Sequence, residues 1–354
     1  MALAAVLYSD GAAEPESVSA QAARAAERVN AYEELGLALN CRASALIELA
    51  RPVDALPLFQ AALEIRERYA PSEVPASLGN LAITFTALGR FDEAVTAGRE
   101  AMAAGERLAS RVHRNLAELQ LARALFSLGR WDEAVSTVQE AAPDTAPANR
   151  GMLIGPPLLV AIHRGELDGA RAILEEFEQV RGDSAAFESD YRSLREVALA
   201  HLDGAAAEAL SVIGRAQSGD YAEWPSWLPL AVDLVSQLPG EEALREAAES
   251  LAGDVVPKTS PYVKAQSARL GALLAHRSGN SARAAEQWLT AIAVVGEAGM
   301  AFHAAALRLE LFEHVAERAG TADDLRAAVD TFTELRATPW LQRARRAAEV
   351  ATLG

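Results

Sequence analysis

Six histidines, His113, His163, His201, His276, His303 and His314, are the chain's candidates for acid–base or metal chemistry. They are scattered singly along the sequence and show no metal-ligand spacing. Two have notable company. Arg195 precedes His201 and Arg269 precedes His276, in each case by about two helical turns, so on a helix each pair shares roughly one face. A patch of arginine and histidine offers charge-assisted hydrogen bonds to carboxylate or phosphate, and would suit an acidic peptide or an anionic small molecule. The adjacent carboxylates Glu33-Glu34, Glu175-Glu176, Glu241-Glu242 and Asp323-Asp324 are different. Neighbouring residues on a helix do not face each other, so these pairs read as solvated faces or helix starts and not as general acid and base.

Catalytic signatures are missing from the sequence. There is no glycine-rich phosphate loop ahead of a lysine, no G-x-G-x-x-G, no G-x-S-x-G elbow and no H-E-x-x-H. Cys41 is the sole cysteine, which excludes multi-cysteine zinc sites and an internal disulfide. It stands beside Ala43 and Ala45 in a helical pattern and reads as a small packed side chain. No metal and no cofactor is expected.

The bulk properties narrow the partners. The net charge is −16, the opposite of a phosphate-binding surface, so nucleic-acid binding by this chain alone is not expected. Lys258 and Lys264 are the only lysines, so any cationic site must be built from arginine, with its planar, bidentate fork. The apolar opening Ala2–Tyr8 is short, lacks a basic flank and meets Asp10, so it fails as a signal peptide. No apolar run approaches the ~18 residues of a membrane span. A cytoplasmic protein is the expectation.

The elements that position these groups follow from self-similarity. Leu-Gly-Arg-Phe-Asp-Glu-Ala at 88–94 returns as Leu-Gly-Arg-Trp-Asp-Glu-Ala at 128–134. Leu-Ala-Arg-Pro-Val-Asp-Ala at 49–55 and Arg-Gly-Glu-Leu-Asp-Gly-Ala at 164–170 are looser copies, and the stretches from Leu202 and Ser278 are decayed ones. Each copy closes an apolar helix on a residue suited to the left-handed cap, with Gly89, Gly129, Gly165 and Gly279 at that post. Each then opens a new helix on acidic residues that favour the dipole's positive end. Ala94 and Ala134 mark places where two helices approach closely. With alanine abundant and runs of Val, Ile and Thr nearly absent, the chain is all-α. About eight helix hairpins are predicted, with first helices over 31–48, 74–88, 112–128, 151–164, 189–202, 225–238, 262–278 and 301–318. The sixth, holding Trp224 and Trp227, is degenerate. Pro143, Pro147 and Pro156-Pro157 make 143–157 a hinge or a long inter-repeat loop; the resumed phase at Ala170 favours the loop.

The pattern resembles the tetratricopeptide repeat (TPR) family, whose second helix carries A-x3-F. Ala55-x3-Phe59 with Ala62, and Ala284, Trp288 and Ala291, match it, and Asn80-Leu81-Ala82-x2-Phe85 echoes the family's first helix. The units run longer than the family's roughly 34 residues. The resemblance implies a right-handed superhelical solenoid of antiparallel hairpins over 1–354. It comprises an N-terminal cap (1–30), the best repeats (31–142), the loop (143–157), degenerate repeats (158–337) and a capping helix (338–354). Thr338 is expected to be its N-cap, and Arg343, Arg345 and Arg346 to keep the end of the stack wet. Mapped onto the anchors, the family's ligand-contacting positions on the concave face fall at Asn40, Asn80, Gln120, Arg123, Tyr191, Arg195, His201, Gln266, Arg269 and His276.

A narrower resemblance is carried by Ala55-Leu56-Pro57-Leu58-Phe59 through Arg66 and by the ending Pro339-Trp340-x2-Arg343-Ala344. Both are similar to the repeat region of large bacterial ATP-binding regulators of the LuxR type. Neither an NTPase nor a DNA-binding helix pair is in this sequence, so the expectation is a stand-alone relative or a piece of such a regulator. The function implied is non-enzymatic: a scaffold or effector-sensing module whose groove engages a protein or peptide, acidic by preference, or a small effector. The alternative is an enzyme, or enzyme subunit, with a motif-less site in that groove.

Overall fold

The computed structural model describes residues 13–141, 153–181, 188–215, 224–253, 259–315 and 321–353. Among them there is no strand, and eighteen α-helices follow one another. They are α1 (Ala13–Arg28), α2 (Tyr32–Glu48), α3 (Pro52–Tyr69), α4 (Val74–Ala87), α5 (Phe91–Arg107), α6 (Arg111–Ser127), α7 (Trp131–Ala141), α8 (Gly155–Arg164) and α9 (Leu167–Arg181). Then come α10 (Glu188–Asp203), α11 (Ala206–Arg215), α12 (Trp224–Val235), α13 (Glu242–Ala252), α14 (Pro261–Arg277), α15 (Ser281–Glu297), α16 (Ala301–His314), α17 (Thr321–Glu334) and α18 (Thr338–Leu353). The all-α hairpin architecture is as the repeat spacing predicts.

The turn chemistry repeats with the sequence. Gly89, Gly129, Gly165 and Gly279 all have φ between 74° and 81°. At the two best copies the bonds are the same: Gly89 N–H donates to Thr86 O and Arg90 N–H to Phe85 O, as Gly129 N–H does to Phe126 O and Arg130 N–H to Leu125 O. These satisfy carbonyls that the ending helix leaves over. Alanine serves at the closely packed positions: Ala55, Ala62, Ala94, Ala101, Ala134 and Ala141 are fully buried. A Cβ on Gly98 would lie 3.2 Å from Leu121 Cβ, so α5 and α6 meet almost backbone to side chain there.

Contacts divide the chain into two compact units. One is Met1–Ala124 with Gln139–Thr145, the other Leu125–Val138 with Ala146–Gly354. The division falls inside α6; the proline-rich stretch predicted as hinge or loop has residues 142–152 outside the described ones. Pro156, which reads in sequence as a disturbance, sits at the start of α8, where its missing N–H leaves no gap.

In the first unit consecutive helices α1 to α5 pack pairwise, and Leu78, Ala101, Ala104 and Ala117 form a core that joins α4, α5 and α6. The second unit also stacks in order, but α18 packs back on α8 and α16. Trp131, His163, Phe302 and Trp340 cluster there, with His163–Phe302 centroids 4.4 Å apart and Phe302–Trp340 5.4 Å. Arg164 and Arg336 both hold Asp132.

Two expectations for the end of the chain are corrected. Thr338 lies inside α18 and its hydroxyl donates back to Arg336 O at 3.4 Å, so it does not act as the N-cap acceptor. Arg343 is not a wetting residue, because it pairs with Glu313 across the packed face; Arg345 and Arg346 are exposed as expected.

Candidate functional site

In the first unit the polar face begins with Asn40 on α2. Its side-chain oxygen accepts from Asn80 Nδ2 of α4 at 3.0 Å and from Arg66 Nη1 of α3 at 3.3 Å. Arg66 Nη1 also donates to Ser77 Oγ at 2.9 Å. Three helices are thereby tied by side chains that recur one repeat apart. Arg66 is only 3% exposed, and burial holds its pKa below the usual arginine value, the charge of Glu73 opposing. Next to Asn40, Cys41 is half-buried; burial raises its thiol pKa, with Arg66 pulling the other way. Asn40, Cys41 and Arg66 line a cleft of about 240 Å³ together with Ser44, Glu48 and Glu73.

The second unit carries a buried ionic centre. Arg269 on α14 donates through Nε to Glu310 Oε2 at 2.9 Å and through Nη2 to Glu310 Oε1 and Asp233 Oδ1. Its Nη1 reaches Gln266 Oε1 at 3.2 Å and Pro229 O at 3.4 Å. Trp288 Nε1 donates to the same Glu310 Oε2 at 3.1 Å. Burial works to raise the Glu310 pKa, but Arg269 outweighs it and holds the carboxyl below its ordinary value. Asp233 goes the other way: burial raises it, and Arg269 only partly compensates. Arg269 is held above the ordinary arginine value: burial opposes its charge, but Asp233 and Glu310 outweigh that. Nearby, His303 packs edge-on against Tyr262 at 5.0 Å, and burial with the Arg269 charge pushes its pKa down to about 3. Burial, then the charges of His303 and His201, pushes His163 well below the usual histidine value.

The residues predicted for the concave face are thus distributed. Asn80 is half-buried and bonded to Asn40. Arg123 on α6 is half-buried and already engaged within the protein. Tyr191 falls in α10, with its side chain outside the described residues. Arg195 pairs with Glu178 of α9. His201 is half-buried, its pKa lowered by burial against the pull of Asp233. His276 packs tilted against His314 at 4.4 Å, and His314 stacks on Trp288 at 5.2 Å. Gln266 and Arg269 are 2% and 4% exposed. The pairing of Arg269 with His276 as groove ligands is therefore corrected: a guanidinium has five N–H donors, and all five of Arg269 are consumed inside the protein.

The sequence reading missed Arg66, Asp233 and Glu310. Glu310 had a signal, since it stands between Leu309 and Leu311 in a run that is otherwise almost wholly apolar. A charge in that position must be buried with a partner. Arg66 had none, being one of two arginines at the end of α3.

Among the described residues no helix is long and apolar enough to cross a membrane, and no group of three His, Cys, Asp or Glu side chains is placed to hold a metal ion.

No curated protein matches the sequence. Among solved structures, the chain is similar to a circular tandem repeat protein with novel repeat topology and enhanced subunit contact surfaces. The identity is 13%, over 95% of this chain and 89% of that one, with a TM-score of 0.27. Residues 34–107, which run from α2 into α5 and include Asn40, Arg66 and Asn80, match the tetratricopeptide repeat family, whose members are generally protein-interaction modules.

Proposed function

We propose that the chain is a non-enzymatic binding module, a regulatory scaffold or effector sensor, whose working surface is the polar face shared by α2, α3 and α4. The observation that carries this reading is the Asn80-to-Asn40 hydrogen bond at 3.0 Å between equivalent positions of successive repeats. A ladder of amides is a poor stabiliser of a core, because each bond nets only about 1 kcal/mol against water. It is a good template for polar groups of a bound chain, since Asn40 keeps its amide nitrogen as a donor and Asn80 keeps its side-chain oxygen as an acceptor. The match to an interaction-module family over the same residues supports it. So does the consumption of the second unit's polar groups by one another. Arg66 offers such a partner one local contact for a carboxylate.

Affinity capture from the soluble extract of the native host, with wild type and Asn80→Asp side by side, tests the reading. A protein retained by wild type and lost by a folded Asn80→Asp supports it. Equal retention by both, or no retained protein, would place the function elsewhere.

A further inference from the structure

Arg66 differs from Arg269, the other arginine buried among the described residues, in what its fork does. Arg269 grips Glu310 side-on with Nε and Nη2. The exposed Arg130 uses the same edge on Glu133, with Nε at 2.7 Å and Nη2 at 2.6 Å, and Arg343 uses it on Glu313. Arg66 bonds only through Nη1, to Asn40 and Ser77, both neutral. Its Nε/Nη2 edge has no hydrogen bond, and no carboxylate lies within ion-pair distance among the described residues. Beside it, Asn40 spends its oxygen on Arg66 and Asn80, which leaves its amide nitrogen as a second donor without an acceptor. Donors crowd this wall of the cleft with no carboxylate bonded to them, the charge of Glu73 bearing on Arg66 only from beyond ion-pair distance, and a buried cation without a bonded partner is costly.

A bare anion is nevertheless a poor fit. The same cleft is lined by Glu48 and Glu73, and the whole chain carries a net charge of −16 that repels anions at long range. A ligand with a carboxylate at one end and a cation at the other meets both constraints, and is electrically neutral as it approaches. The cleft, about 240 Å³ with Pro15 of α1 forming part of its wall, has room for a molecule of amino-acid size.

We propose that this cleft binds a small dipolar ligand of the amino-acid class. Its carboxylate sits on the Nε/Nη2 edge of Arg66 and the amide nitrogen of Asn40, and its ammonium or other cationic end faces Glu48 and Glu73. This rests on the reading of the α2–α4 face as a binding surface and specifies the effector that it senses.

Cys41 supplies the assay. It lines the cleft and is the chain's one thiol, so its reaction with a thiol reagent reports on this site alone. The rate is measured on the full chain with each free L-amino acid, with acetate and ethylamine as the two half-ligands, and with acidic peptides. One or more amino acids are expected to slow the reaction severalfold, and neither half-ligand to do so. In Asn40→Asp, the new carboxylate gives Arg66 an internal partner and keeps an oxygen for Asn80, so protection should vanish while melting stays at or above wild type. Arg66→Lys keeps the charge, loses the fork and should weaken protection. Glu48→Gln, at an exposed position, should let acetate compete as well as an amino acid does.

Failure of every amino acid to protect, protection by acetate equal to the best amino acid, or protection that persists in Asn40→Asp would each overturn the proposal. Protection by acidic peptides alone would overturn it while leaving the protein-partner reading intact. Loss of captured protein in Asn80→Asp without any protection of Cys41 would do the same.

Discussion

Arg269 and Glu310 face each other across 41 residues of sequence, with Nε donating to Oε2 at 2.9 Å and Nη2 to Oε1, and both side chains at most 5% exposed. Asp233 completes the arrangement on the other side of the guanidinium, and Arg343 approaches Glu310 at 3.9 Å. Taking such charges out of water is unfavourable, so the centre stands only because every donor of Arg269 has an acceptor. It locks α12, α14 and α16 into one register. It also separates Arg269 from Arg195, which holds Glu178 on a partly exposed surface.

That difference predicts opposite outcomes for two alanine substitutions. Arg269→Ala strands two carboxylates in the interior and should destabilise by about 3–5 kcal/mol, enough to threaten folding of the second unit. Arg195→Ala breaks a surface pair and should change stability by no more than about 1 kcal/mol. Chemical denaturation of the two variants checks this. Comparable small losses in both would mean that the ionic centre contributes little.

The contrast shows what could be read from sequence. Helix boundaries were legible to within a residue or so where the repeat is regular, while 151–164, 225–238 and 301–318 emerge shorter, as Gly155–Arg164, Trp224–Val235 and Ala301–His314. The predicted first helices 31–48, 74–88 and 262–278 emerge as Tyr32–Glu48, Val74–Ala87 and Pro261–Arg277, because glycine caps, acidic starts and apolar periodicity act locally. The pairing of Arg269 with Glu310 and Asp233 was not legible. It depends on how α12, α14 and α16 pack, and no local pattern encodes which of the chain's many arginines meets which acid. Periodicity put Arg195 and Arg269 at equivalent positions, and helix packing then gave one a surface partner and the other a buried one. On α2 to α4 the reverse held: Asn40 and Asn80 were legible as equivalent places because the repeat there is regular, while Arg66 entered only through packing.

Acid should weaken the fold before the carboxylates titrate. His303 titrates near 3 in the folded chain and near 6.5 once unfolded, and His163 is shifted the same way. Both are buried neutral, so below pH 6.5 the unfolded chain binds protons that the folded chain refuses. For His303 stability therefore falls as pH drops from about 6.5 towards 3, by about 1.4 kcal/mol per pH unit, and His163 adds in the same direction. Thermal melts between pH 7.5 and about 5 follow this contribution, with the lowered His201 and His314 adding to it and the raised Asp233 opposing it. His303→Gln should flatten the slope by one histidine's share; a slope unchanged in that variant would show that His303 is not a source of it.

The degenerate first copy of the turn contains a position that glycine would improve. Ala50 takes φ 65° where the better copies have glycine, and Ala50 N–H still donates to Ile47 O and Arg51 N–H to Leu46 O. An L-residue with a Cβ is disfavoured there by about 1–2 kcal/mol. Ala50→Gly should recover about 1 kcal/mol, even after the extra flexibility that glycine gives the unfolded chain. An unchanged or lower melting temperature would mean that this turn relaxes its strain in another way.

Glycines with the same backbone angle should not be equally replaceable. Gly204 and Gly165 have φ of 70° and 79°, so alanine at either meets the same left-handed penalty of about 1–2 kcal/mol. Around Gly204 a new Cβ would find nothing within 4 Å. At Gly165 it would lie 2.8 Å from Pro339 Cγ and 3.1 Å from its Cδ, and the pyrrolidine ring cannot swing aside as a long side chain would. Relief then requires α18 to lift from α8. That would disturb the Arg164 Nε bond to Leu335 O at 3.1 Å and the Trp340 face of the aromatic cluster. Gly204→Ala should therefore lose only the backbone term, and Gly165→Ala should lose that plus about 1–3 kcal/mol of overpacking. Hydrogen exchange gives the decisive readout, because protection should drop across α18 in Gly165→Ala and stay level there in Gly204→Ala. Equal melting temperatures with unchanged exchange in α18 would show that the contact between α8 and α18 contributes nothing to the stability of the second unit.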